Sequence, residues 1–133
     1  MNAKDIQTNF RKSVLSSGKI ILAGKDAKQN EKIIEQSGKN EYVLHTAAPG
    51  SPFVNVKAAI EDVTKEDLKE AALFCAKYSQ AWKKANVKKD VDVHIFLGKD
   101  IFKEKDMKLG TFGVKKVNNI IVKKEDIEKY INA

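Results

Sequence analysis

Thr64-Lys65-Glu66-Asp67-Leu68-Lys69-Glu70-Ala71-Ala72-Leu73-Phe74-Cys75-Ala76-Lys77-Tyr78-Ser79-Gln80-Ala81-Trp82 is the stretch that decides the fold class. Thr64 is a helix cap, Glu66 and Asp67 suit the positive end of a helix dipole, and Asp67 stands where a capping box needs its acid. Leu68, Ala71, Ala72, Cys75, Tyr78, Ser79 and Trp82 recur at i, i+3, i+4 and i+7, which predicts one continuous helical stripe through Trp82. Lys65, Lys69, Lys77, Lys83 and Lys84 fall on the remaining surface. Three small residues on the stripe (Ala71, Ala72, Cys75) let the helix come close to a flat partner, so it is expected to lie over a sheet.

Candidate strands lie on both sides. Val91 to Leu97 alternates, with Val91, Val93, Ile95 and Leu97 on one side and His94 on the other. A charged loop from Gly98 to Leu109 follows, then Gly110. Strands are expected over Phe112 to Val117 and Ile120 to Val122, joined by the turn pair Asn118-Asn119, and Lys124 to Ile131 has the pattern of a short amphipathic helix. Towards the N-terminus, Ser16-Ser17-Gly18 is a turn between strands at Asn9 to Leu15 and Lys19 to Ala23. Gly24-Lys25-Asp26 then converts strand to helix, with Asp26 as cap and Gln29 in the box position. Ala27, Asn30, Ile33 and Ile34 share a face, and Ser37-Gly38 ends the helix. Tyr42 to His45 is a short strand, residues 46–52 form a Pro-Gly-Ser loop, and Phe53 to Lys57 is the next strand. The expected architecture is α/β (α+β): a single-layer, mixed but mostly antiparallel sheet with two main helices packed on it. No boundary divides residues 1–133, so one domain is expected.

Hydrophobic residues at 42% against 32% charged describe a chain that can bury a core. No apolar run approaches the ~20 residues of a bilayer span, and Met1 to Asp5 lacks the apolar centre of a signal peptide. A lone cysteine, Cys75, forms no internal disulfide and no multi-thiolate metal site. Together these point to the cytoplasm, with no membrane partner.

The charge is informative through its distribution. Through Val63 there are nine basic and seven acidic residues; from Thr64 onward there are sixteen and eleven, nets of +2 and +5 that sum to +7. Such a surplus suits a polyanion, usually nucleic acid. It equally suits a lysine-rich surface that only keeps the protein in solution.

Nothing in the sequence supports catalysis. Cys75 sits mid-stripe, where a thiol packs as a small hydrophobe. His94 lies beside Asp92 on the polar side of its strand. His45 closes a strand and opens the Pro-Gly-Ser loop, a common place for functional groups, although a structural hydrogen bond explains it as well. No serine occupies a Gly-x-Ser-x-Gly elbow and no cluster has metal spacing. The chain is expected to be no enzyme, and to need neither cofactor nor metal. Gly24-Lys25-Asp26 offers free backbone N–H groups to a phosphate but lacks the other glycines of a nucleotide loop, and Asp26 puts a carboxylate there. The lysines of the 98–110 loop, Lys99, Lys103, Lys105 and Lys108, suit phosphate contacts that carry no sequence information. Few aromatics are free to stack, which favours a reader of backbone and shape.

Several segments, in order from about Phe10 to Val122, resemble the RNA-binding (NFACT-R) domain of the NFACT proteins, a family of ribosome quality-control factors that includes fibronectin-binding-like bacterial members. The family's Gly-Arg-Asn…Gln-Asn signature is similar to Gly24-Lys25-Asp26-Ala27-Lys28-Gln29-Asn30, and its Asp-x-Trp-x-His strand to Glu41-Tyr42-Val43-Leu44-His45. Its Pro-Gly-Ser-His turn resembles Pro49-Gly50-Ser51-Pro52, its Ala-Ala…Ala-x-Tyr-Ser helix resembles Ala71 to Ser79, and its lysine-rich loop resembles Lys103 to Gly110. Lys25 replaces the family's Arg and gives up a bidentate phosphate fork. Asp26, Glu41, Val43 and Pro52 replace Asn, Asp, Trp and the second His.

The resemblance implies tRNA or rRNA as partner, with the ribosomal large subunit a further candidate, in translation or ribosome quality control. On that reading Lys25, Lys28 and the helix N-terminus contact phosphate. Gln29, Asn30, His45 and Ser51 form a polar pocket at the strand ends, and Lys103, Lys105 and Lys108 supply electrostatic grip. A non-catalytic protein–protein adaptor and a DNA-binding module are the alternatives.

Overall fold

The computed structural model describes residues 10–133, so the expected start of the first strand at Asn9 and the reading of Met1 to Asp5 lie outside the described residues. The strands are β1 (Arg11–Val14), β2 (Ile20–Ala23), β3 (Tyr42–Thr46), β4 (Val54–Val56), β5 (Val91–Leu97), β6 (Ile101–Phe102), β7 (Gly113–Val114) and β8 (Asn118–Val122). The helices are α1 (Ala27–Gln36), α2 (Lys65–Lys77), α3 (Gln80–Lys83) and α4 (Lys124–Asn132). Six strands form one sheet in the order β1-β2-β4-β3-β5-β8, and β6 and β7 form a separate ribbon. Adjacent strands of the sheet pair antiparallel, which bears out the expected α+β class.

Both faces of the central strands are apolar, and that dictates three layers. Successive side chains on a strand point to opposite faces. Ile21, Ala23, Leu44, Val54, Val56, Val93 and Ile95 therefore meet Ala71, Ala72 and Cys75 of α2 and Ile127 of α4. Leu22, Val43, Phe53 and Phe96 point the other way, onto Ile33 of α1. The two main helices thus cover opposite faces. Ala71, Ala72 and Cys75 are fully buried, the close approach their size permits.

The caps behave as expected. Thr64 Oγ1 accepts from Asp67 N (3.1 Å) and Asp67 Oδ2 accepts from Thr64 N (3.0 Å), completing the box. Asp26 Oδ1 accepts from Gln29 N (2.8 Å), while Gln29 Oε1 reaches one residue beyond the cap, to Lys25 N (2.9 Å).

Three expectations fail. The stripe through Trp82 is not one helix: α2 ends at Lys77 and the chain restarts as α3. Ser79 causes the break. Its Oγ donates to Ala76 O (2.7 Å) and accepts from Trp82 N (3.3 Å), capping one helix and starting the next. A serine competes with the backbone in this way wherever its hydroxyl can replace a helical bond. Asn118-Asn119 is also no turn. These residues belong to β8 and pair with Ile95 and His94, and Asn119 Nδ2 donates to Asp92 Oδ1 (2.9 Å). Pairing there covers the β5 edge, which a hairpin would have left open. The strand expected over Phe112 to Val117 shrinks to β7, which pairs with β6 inside the segment expected to be a charged loop.

Candidate functional site

β2, β3 and β4 bring their polar flanks to one end of the sheet, where the chain leaves β2 for α1 and loops from β3 to β4. Gly24 is buried at this crossing, and a Cβ there would lie 2.2 Å from Asn30 Oδ1. Only glycine lets α1 come so close. Asn30 uses that proximity: its Oδ1 accepts from Phe53 N (3.0 Å) and its Nδ2 donates to Ser51 O (3.3 Å). Gly24 N donates to Phe53 O (3.3 Å). Ser51 is an internal brace of the same loop. Its Oγ accepts from Thr46 N (3.2 Å), donates to Pro52 O (2.8 Å) and lies 3.3 Å from Cys75 Sγ.

His45 stands at the end of β3, its ring tilted against Phe53 with centroids 4.4 Å apart. Nδ1 donates to Thr46 O (2.7 Å), because a carbonyl can only accept. Burial holds the imidazole below its ordinary pKa; the Thr46 contact opposes this and the neighbouring His94 reinforces it. His45 is therefore the neutral Nδ1–H tautomer at neutral pH, and Nε2 is an acceptor.

These residues line a cleft of about 330 Å³. Of the polar pocket that the resemblance implied, Asn30, His45 and Ser51 line this cleft, with Lys25 beside them, while Gln29 is not among its described lining residues. Arg11 and Lys83 join them from β1 and α3, so among the described residues the lining holds three full cations against one acid, the Asp26 cap. Arg11 stacks 3.9 Å above the Tyr78 ring, which fixes its guanidinium at the rim. The sequence reading missed Arg11, Tyr78 and Lys83 as a group. The one available signal was that Arg11 is the sole arginine in a chain otherwise basic through lysine.

Lys28 and Gln29 are on the first turn of α1: Lys28 is exposed, and Gln29 holds the Lys25 backbone. Lys103 is engaged internally. Its Nζ pairs with Glu31 Oε2 (3.3 Å), donates to Lys108 O (2.6 Å) and Thr111 O (2.8 Å), and sits 4.6 Å above the Phe112 ring. Glu31 Oε2 also accepts from Gly110 N (2.5 Å), so one carboxylate clamps the loop to α1. Lys105 and Lys108 are exposed on that clamped loop, whose Gly110 lines the cleft.

Cys75 has no chemistry to offer. It is fully buried, and burial pushes its thiol up to about 12. A thiol reagent at neutral pH should find no reactive group in the native protein and one after denaturation in guanidinium, read by absorbance of the released thiolate. Rapid native labelling would contradict this packing. Among the described residues no group of His, Cys, Asp and Glu has the geometry of a metal site, and no helix is long and apolar enough to cross a membrane.

The family model for the NFACT protein RNA binding domain matches residues 9–116. Over 75 residues the chain is 39% identical to an archaeal Rqc2 homolog, aRqcH, of Methanocaldococcus jannaschii; the match takes in 56% of this chain and 11% of that protein. The C-terminal structure of the fibronectin/fibrinogen-binding protein from Streptococcus suis superimposes with a TM-score of 0.76 at 22% identity, covering 90% of this chain and 48% of that one. At that identity the likeness is one of fold. The chain spans less than half the length of either protein.

Proposed function

The chain belongs to the family of NFACT protein RNA binding domains, and from that premise we propose that it docks on the backbone of a structured RNA, a tRNA or an rRNA element, in translation and ribosome quality control. One observation carries the reading: Arg11, Lys25 and Lys83 converge on a cleft whose described residues include a single carboxylate. Phosphate contacts of this kind position a protein without reading sequence. Lys28 on α1 and Lys105 and Lys108 on the clamped loop extend the positive field beside the cleft. Asn30 and Ser51 hold the walls, because their polar atoms already serve the backbone. No catalytic step enters the reading: the thiol is buried and, among the described residues, no nucleophile faces His45 within hydrogen-bond reach.

The test is a titration of labelled total tRNA at a series of potassium chloride concentrations. Affinity should fall as a power of salt, with a slope of about 0.9 per duplex phosphate neutralised. The double variant Lys25→Glu/Lys83→Glu should bind at least about tenfold more weakly and lose about two units of that slope. Both side chains are exposed, so its thermal midpoint should match wild type. Salt-independent binding, or a double variant that binds like wild type, refutes the proposal.

A further inference from the structure

A second cavity, also of about 330 Å³, lies next to the basic cleft and shares His45, Gly50 and Gly110 with it. Its chemistry is different. It is lined by His94, Phe53, Phe96, Phe112 and Val117 among others, with no lysine, arginine or carboxylate among the described residues of its lining. At this size, near the lower end of the roughly 300–1,000 Å³ typical of small-molecule pockets, it admits one planar heterocycle with its sugar and excludes a folded partner.

The walls suit such a ring. Phe53 and Phe96 are buried and form the floor, Phe53 being held edge-on by Phe112 (5.6 Å, 89°) and Phe96 (6.3 Å, 76°) and tilted against His45, so the ring surface open to a ligand is that of the half-buried Phe112, His45 and His94 on a rigid base. His45 and His94 are directly opposite each other on β3 and β5 and therefore project from the same face of the sheet. His45 Nδ1 is committed to Thr46 O. Its Nε2 has no partner among the described residues, and no buried side-chain nitrogen or oxygen among them lacks one, so Nε2 is accessible at this shared wall. It presents an acceptor to an N–H on a heterocycle's edge.

We propose that this cavity receives a single unpaired nucleobase of an RNA whose backbone lies in the adjoining basic cleft. The proposal rests on the RNA-binding reading and deepens it: the cleft supplies the charge, and the aromatic cavity selects unpaired over paired strands. Stacking on aromatic side chains is sequence-tolerant because every base has a π-face. An acceptor at His45 Nε2 adds a preference for bases that present an amino group.

The experiment uses a short single-stranded RNA carrying one fluorescent adenine analogue, and the same strand annealed into a duplex. Wild type should change the analogue's emission and prefer the single strand by about tenfold. Val117 is 44% exposed at the rim, so Val117→Trp can fill the cavity without disturbing the core. That variant should lose the emission change and the strand preference while keeping the salt slope. His94→Ala should weaken the preference without changing the slope, and Lys25→Glu/Lys83→Glu should reduce binding of both strands. Salt-dependent binding with a silent analogue overturns the base pocket and leaves the cleft standing, as does a strand preference that survives Val117→Trp. Failure of both strands to bind overturns the RNA reading, and this proposal with it.

Discussion

Replacing Asp67 with alanine should destabilise the protein by about 3 kcal/mol, measured by urea unfolding at neutral pH. The carboxylate is 3% exposed and takes three contacts: Ser17 Oγ (2.7 Å), Lys19 Nζ (3.0 Å) and, as its half of the capping box, Thr64 N (3.0 Å) at the start of α2. It joins the β1–β2 hairpin to the helix that covers the sheet. Loss of an exposed cap alone costs about 1 kcal/mol, and removing one partner of a fully buried charge pair costs about 3–5. Lys19 keeps 22% of its side chain exposed and can turn to water, which places the expectation at the lower end. The Ser17 hydrogen bond, then the Thr64 N–H and Lys19, hold the folded-state carboxyl well below the usual carboxylate range. Such a group stabilises the fold fully above its unfolded pKa of about 3.9 and progressively less as pH falls towards the folded value. The difference between wild type and Asp67→Ala should therefore be constant near neutrality and shrink below about pH 4. A difference that stays level into that range would show that volume, not charge, holds the junction.

Gly98→Ala should cost a similar amount, about 3 kcal/mol, for a purely steric reason. A Cβ there would lie 2.0 Å from Gly38 O and 2.9 Å from Gly38 C, which are backbone atoms that no rotamer change can move aside. The two segments are also hydrogen-bonded, Gly98 N to Glu41 O (3.0 Å) and Lys99 N to Lys39 O (3.1 Å), so separating them breaks what holds the turn before β3 against the end of β5. Gly18→Ala is the control. Gly18 has φ +93° with nothing within 4 Å of the added carbon, so only conformational strain of about 1 kcal/mol applies. Equal losses in the two variants, again by urea unfolding, would mean that the approach of Gly38 to Gly98 is looser than the contact distances require.

What the sequence made legible was local. The Thr64–Asp67 box, the Asp26 cap and the alternation of β5 depend on residues within a few positions of one another, and all three are found as read. Ser79 had been counted into the stripe because spacing alone cannot tell whether a hydroxyl turns outward or back to Ala76 O. Asn118-Asn119 has turn composition, but whether a turn forms there depends on whether the β5 edge already has a neighbour. The site shows the same division. The family resemblance groups Gln29, Asn30, His45 and Ser51 in one pocket, and of these Asn30, His45 and Ser51 share the cleft with Lys25 while Gln29 holds the Lys25 backbone instead. That Asn30 and Ser51 face inward as braces follows from the β2-β4-β3 order, which places Phe53 N beside α1 and which no local pattern encodes. Arg11 and Tyr78 are sixty-seven positions apart and meet only because the hairpin packs beside the end of α2.

The family match ends at residue 116, and the sheet does not. β8 closes the flank of β5, Val122 and Ile127 fill space against α2, and all of this lies past the matched stretch. The unit that inheritance marks is thus shorter than the unit that cooperates thermodynamically. For this chain, the last seventeen residues are part of what keeps β5 in place, and with it His94, which ties the integrity of the aromatic cavity to a segment outside the stretch that the family model matches.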